Sequence, residues 1–137
     1  MNTSVVVGAA TLLASVMLLT GCSGSTMPEL HRPQTEVDLI PHPDANTDTD
    51  IDRSSTRFVG EVSGIKLYLA RPTTDDGVCA VLVATPPASW YQSGCGEGDG
   101  LAFQLDNGVG VEIGNMRLDV EGQRTQLSES VTVVSEP

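Results

Sequence analysis

After residue 57 the apolar side chains recur at a period of two, and turn-forming residues interrupt them every few positions. Ile65, Leu67 and Leu69 alternate with Lys66, Tyr68 and Ala70, and Leu101, Phe103 and Leu105 alternate with Ala102 and Gln104. The pattern returns in Val109, Val111 and Ile113, and again in Met116, Leu118 and Val120. A helix would repeat its apolar positions every three or four residues, and no window of twelve residues here does so. Half-buried strands are therefore expected. Ser63-Gly64, Asp106-Asn107-Gly108, Gly114-Asn115 and Glu121-Gly122 supply the positive-φ tolerance that tight reversals need. Residues 78–84, VCAVLVA, are apolar on both faces and suit a central strand, and residues 131–134 form a last β-rich run. The expected fold is all-β: a small antiparallel barrel or sandwich of about seven short strands, with residues 85–100 as its irregular loop.

At 137 residues the chain has room for one domain. All five aromatic residues (Phe58, Tyr68, Trp90, Tyr91, Phe103) and eleven of the fourteen glycines follow residue 57, which places the expected domain at residues 58–137. Eighteen acids against seven bases give a net charge of −11. Nucleic acid is excluded as a partner on that ground, as is an anionic lipid surface bound by charge.

Residues 5–19, VVVGAATLLASVMLL, carry no charge, and the first charged side chain in the chain is Glu29. This run is shorter than the roughly 20 apolar residues of a spanning helix, and it suits the core of an export signal. It ends in Leu19-Thr20-Gly21-Cys22. That string resembles the lipobox of bacterial lipoproteins, in which an aliphatic residue and two small ones precede an invariant cysteine. Residues 2–4 depart from the usual basic start, being Asn-Thr-Ser. The resemblance implies that residues 1–21 are a signal peptide, that cleavage falls between Gly21 and Cys22, and that the Cys22 thiol carries a diacylglyceryl group. It further implies a protein anchored in the bilayer through acylated Cys22 on the extracytoplasmic face of the cell membrane. The general layout also resembles the short envelope lipoproteins of high-GC Gram-positive (actinobacterial) cells.

Residues 23–57 contain no aromatic residue and four of the eight prolines, and their seven acids against three arginines leave −4. Composition of this kind predicts a disordered tether over residues 22–57, which as a random coil spans roughly 30 to 35 Å and holds the domain off the bilayer. An exported chain meets an oxidising compartment. Cys79 and Cys95, the two cysteines left once Cys22 carries lipid, are then expected to form a disulfide worth about 3 kcal/mol to a domain of marginal size.

Residues suited to chemistry are few. Asp48, Asp50 and Asp52 open like an EF-hand loop, but Arg53 stands where its glycine belongs and Val59 where its glutamate belongs. His31 and His42 lack the helical spacing that would aim both at one ion, so no metal or other cofactor is expected. No histidine follows residue 57 and no G-x-S-x-G turn occurs, which argues against a nucleophile–base pair. Lys66 suits a solvated strand face. The glycine-rich residues 94–100 lack the lysine and helix of a phosphate cradle. Carboxylate pairs such as Glu97 and Asp99, Asp75 and Asp76, or Asp119 and Glu121 would serve a small cell-wall hydrolase, but they are too common in this chain to single one out.

Trp90-Tyr91 is the candidate binding pair. In an extended segment the two rings point to opposite sides, so that either one packs on the disulfide while the other serves as an anchor for a ligand, or both simply cap a core poor in large side chains. The expected function is binding without catalysis, by a β-domain whose eleven acids and four bases leave −7. A cell-wall component, or a basic envelope protein that the domain inhibits or sequesters, is the expected partner class.

Overall fold

The computed structural model describes residues 27–74, 76–84, 86 and 89–137. Among these described residues eight strands form two four-stranded antiparallel sheets. The first sheet holds β1 (Ile51–Val62), β2 (Ile65–Pro72), β3 (Gly77–Ala84) and β4 (Trp90–Glu97) in that order. The second holds β5 (Gly100–Gln104), β6 (Gly110–Gly114), β7 (Gln123–Gln126) and β8 (Val131–Ser135), in the order β5-β6-β8-β7. The all-β expectation holds and the architecture is the sandwich, since neither sheet closes on itself.

Alternation along the strands builds two cores. Leu67, Leu69, Val78, Ala80 and Leu82 face the second sheet and meet Val111, Ile113 and Val131. On the outer face of the first sheet Tyr68, Ala70, Cys79, Val81 and Val83 form another cluster with Ile51, joined by Ile40, Phe58 and Tyr91. β3 is thus apolar on both faces because both are covered, as its sequence predicts.

The cover on that outer face comes from the stretch expected to be a disordered tether. Residues 27–50 carry three short 3-10 helices, Pro28–His31, Glu36–Asp38 and Pro43–Asn46; Ile40 packs on the outer cluster, Met27 and Leu30 join the core between the sheets, and Asp38 and Ala45 are buried as well. The domain boundary expected at Phe58 falls inside β1, which starts at Ile51. Composition misleads here because a polar network fastens the segment. Arg32 donates from both terminal nitrogens to the two oxygens of Asp38, each at 2.6 Å. The Thr35 amide at 2.8 Å, its hydroxyl at 3.0 Å and the Phe58 amide at 2.8 Å complete the shell of this fully buried carboxylate.

Two further expectations are corrected. The loop expected over residues 85–100 contains β4, paired residue for residue with β3 from Trp90↔Ala84 to Glu97↔Gly77. Its glycines permit the pairing. A Cβ on Gly77 of β3 would collide with the Gly96 carbonyl, and one on Gly96 would stand 2.7 Å from the Gly100 carbonyl, so both the approach of β3 and the turn into β5 need glycine. The strand expected over Met116, Leu118 and Val120 is an irregular segment instead. Its backbone is drawn to Glu112, a fully buried carboxylate that accepts from the Leu118 amide at 3.0 Å and from Arg124 at 2.9 Å. The outer edge of the second sheet is formed by Gln123–Gln126, a strand the periodicity did not announce, since its four side chains are all exposed and show no apolar alternation.

The connections fix which end of the sandwich each strand reaches. The tight turn at Gly98-Asp99 joins the end of β4 to the start of β5, so Glu97, Gly100, Gly114 and Val131 lie at one end of the molecule. Trp90, Ile65, Asp106 and Ser135 lie at the other. Gly114, at φ 64°, needs its missing side chain, since a Cβ there would collide with the Asp99 carbonyl.

Candidate functional site: a groove between the edges of the two sheets

β4 and β5 are edge strands of different sheets, and the two sheets part between them. The gap is a groove of about 400 Å³. Its walls are apolar: Ile65, Ala80 and Leu82 come from the first sheet, and Leu101, Phe103 and Leu105 from β5 and the residue after it. Polar groups stand at intervals along it, the amides of Gln92, Gln104 and Asn107 and the carboxylate of Asp106, the single charged side chain of the lining. Trp90 borders the groove and is 36% exposed, unusual for so large an apolar side chain. The volume falls in the range of small-molecule pockets, and the mixture of apolar wall and spaced polar groups is typical of them.

Gly94 shapes this groove. It shares the Trp90 and Gln92 face of β4, and a Cβ built on it would meet nothing within 4 Å. The space a side chain would occupy is left to the groove.

Tyr91 faces the other way. Its ring packs with the outer cluster around Cys79 and stacks on His42 with ring centroids 5.5 Å apart. Its hydroxyl donates to Asp48 at 2.7 Å, and the Ser93 hydroxyl donates to the same oxygen at 2.5 Å. Burial pushes the Tyr91 phenol well above its usual range, and the Asp48 carboxylate beside it adds to the rise. For Asp48 burial acts upward, but the hydrogen bonds from Ser93 and Tyr91 prevail and hold its carboxyl below the usual range. Asp48 is therefore a clasp between the N-terminal segment and β4. The other acids of the D-x-D-x-D run make no common centre: Asp52 accepts from the Ser54 amide and hydroxyl at 3.0 and 2.7 Å, and Asp50 is exposed. Among the described residues no group of three or more His, Cys, Asp or Glu side chains could hold a metal ion.

The pair Trp90-Tyr91 thus splits as an extended segment requires. Trp90 serves the groove and Tyr91 serves the packing. Cys79 and Cys95 stand directly opposite each other on β3 and β4, with their sulfurs bonded and their Cα atoms 4.0 Å apart. The bridge ties the edge strand that carries Trp90 to the buried centre of its sheet. Sequence reasoning missed Gly94, the Leu101–Leu105 wall and Asp106 as parts of one site. The period-two run at 101–105 was a usable signal for the wall, whereas nothing local showed that the face of β4 bearing Gly94 would look into a gap.

Gly21 and Cys22, with the cleavage and lipidation expected there, lie outside the described residues. Among the described residues no helix is long and apolar enough to cross a membrane. The chain matches no protein-family description, and no curated protein or solved structure is similar to it.

Proposed function

We propose that this protein is a lipid-anchored envelope protein whose β-sandwich binds a small, largely apolar molecule in the groove between β4 and β5. The groove carries the reading: an apolar slot of about 400 Å³ beside a half-exposed Trp90, with three amides and one carboxylate along it. Asp106 as the sole charge of the lining, within a chain of net charge −11, favours a ligand with a neutral or cationic polar end and disfavours an anion. Anchoring rests on Leu19-Thr20-Gly21-Cys22 closing an uncharged run, and the Cys79–Cys95 bridge agrees with an oxidising location. The domain acts by binding. Its carboxylate pairs give no support to a hydrolase, because Glu97, Asp99, Asp119 and Glu121 are exposed and none of them lines the groove.

The test is titration with N-phenyl-1-naphthylamine, a neutral apolar fluorophore, read by direct excitation of the probe. Saturable binding is expected, weakened about tenfold by Trp90→Ala and abolished by Gly94→Leu. Binding indifferent to both substitutions contradicts the reading.

A further inference from the structure

The groove runs along the edges of β4 and β5, and its Trp90–Asp106 mouth lies at the end of the molecule opposite Met27, the first described residue after Cys22. Met27 is buried, and its methyl group lies where a side chain on Gly114 would be, at the end of the sandwich that also holds Gly98-Asp99. Glu29 fixes the chain to the same end, accepting from the Ser128 hydroxyl at 2.6 Å and the Ser130 amide at 2.8 Å. Trp90 begins β4 at the far end, and the eight residues of that strand separate it from Glu97 by about 23 Å.

Five residue steps join Cys22 to Met27, and they reach at most about 18 Å even when fully extended. A much longer tether, of the 35 residues that composition suggests, would leave the domain free to turn in any direction. Five steps do not. With the Trp90 end against the lipid, Met27 would have to stand farther from the bilayer than its connection to Cys22 allows. The exposed acids at the Met27 end, Asp76, Glu97, Asp99 and Glu129, disfavour tight contact with anionic headgroups, so the domain stands over the bilayer on a short stem.

We infer that the Trp90–Asp106 mouth of the groove points away from the bilayer that anchors the protein and admits the ligand there from the aqueous phase, not from the lipid surface beneath the domain. This rests on the lipid-anchored reading above. A lipid extracted from the anchoring monolayer is thereby disfavoured as the ligand, and a dissolved amphiphile is favoured.

Trp90 is the chain's only tryptophan, which makes the geometry measurable. The mature acylated protein is reconstituted into phosphatidylcholine vesicles containing a dansyl-headgroup lipid, and energy transfer from the indole is recorded. A Met116→Trp, Trp90→Phe variant moves the indole to an exposed position at the Met27 end, and Glu129→Trp, Trp90→Phe does so on a separate turn. Thermal unfolding confirms that each variant is folded. Transfer from either basal indole at least about five-fold greater than from Trp90 is expected, given the separation of the two ends. Transfer from Trp90 equal to or above that from the basal indoles overturns the inference while leaving anchoring intact. Failure of the protein to float with the vesicles overturns the anchoring itself, and the inference with it.

Discussion

Arg32 meets Asp38 in a two-pronged ion pair, both hydrogen bonds 2.6 Å long, and the carboxylate is wholly buried beneath the segment it secures. Burial alone would raise the Asp38 pKa. The hydrogen bonds from Arg32, Thr35 and Phe58 outweigh it and hold the carboxyl far below its usual range. Glu112 is depressed chiefly by Arg124, and in Glu29 the hydrogen bonds from Ser128 and Ser130 overcome its desolvation.

These carboxyls have folded pKa values below their unfolded ones, so in acid the unfolded chain binds more protons and stability rises with pH. The contribution is complete above the unfolded values near about 4 and is lost as pH falls through the depressed folded values. Urea midpoints are therefore expected to be flat from neutral pH to about 5 and to drop steeply below about 4. Asp38→Asn is expected to cost about 2 to 3 kcal/mol at neutral pH and to flatten the acid limb. An unchanged acid limb in that variant contradicts the role given to Asp38.

Removal of residues 27–50 exposes the outer cluster of the first sheet, where Tyr68, Val81 and Val83 are each at most 2% exposed. A chain starting at Phe58 also loses the first half of β1. It is expected to show no cooperative thermal transition, whereas a chain starting at Met27 melts as one unit. Equal melting of the two would show that the segment is dispensable.

That segment marks where sequence reasoning stops. The strands were legible at Ile65–Leu69 and Leu101–Phe103 because the positions facing the core are apolar at a period of two, even though Tyr68 and Ala70 on the other face of β2 are buried as well. β1 was half hidden because its register slips between Asp52↔Arg71 and Arg57↔Leu69, which breaks the alternation. β7 was hidden because QRTQ has no buried face at all. Residues 27–50 bury only a few apolar side chains and owe their order to Asp38 and Asp48, whose partners lie up to 45 positions away. Composition cannot register bonds of that kind. Of the groove, Trp90 and the period-two run at 101–105 were legible, but its depth was not, since that depends on what Gly94 lacks.

Reduction of the Cys79–Cys95 bridge frees the edge strand from its neighbour. The Cys79→Ala, Cys95→Ala double variant is expected to lose about 2 to 4 kcal/mol in urea titration. Its naphthylamine binding weakens as well, because β4 carries Trp90. Stability unaltered by the loss of the bridge would argue that the β3–β4 pairing alone secures the edge.

Tyr91→Phe separates packing from binding. It removes the hydrogen bond to Asp48 and is expected to cost about 1 kcal/mol in thermal unfolding, with naphthylamine affinity unchanged. Gly94→Leu is the mirror case. Its position carries no positive φ, so the strand tolerates the side chain, stability is kept and binding is lost. Binding that survives a filled groove would place the ligand elsewhere.

The most direct measurement is the intact mass of the mature protein recovered from a membrane fraction, followed by peptide mapping of its first residues. The account predicts a chain that begins at Cys22, carries a diacylglyceryl group on that sulfur and holds Cys79 and Cys95 in one bridge. A soluble chain that retains residues 1–21, with all three thiols free, would contradict it.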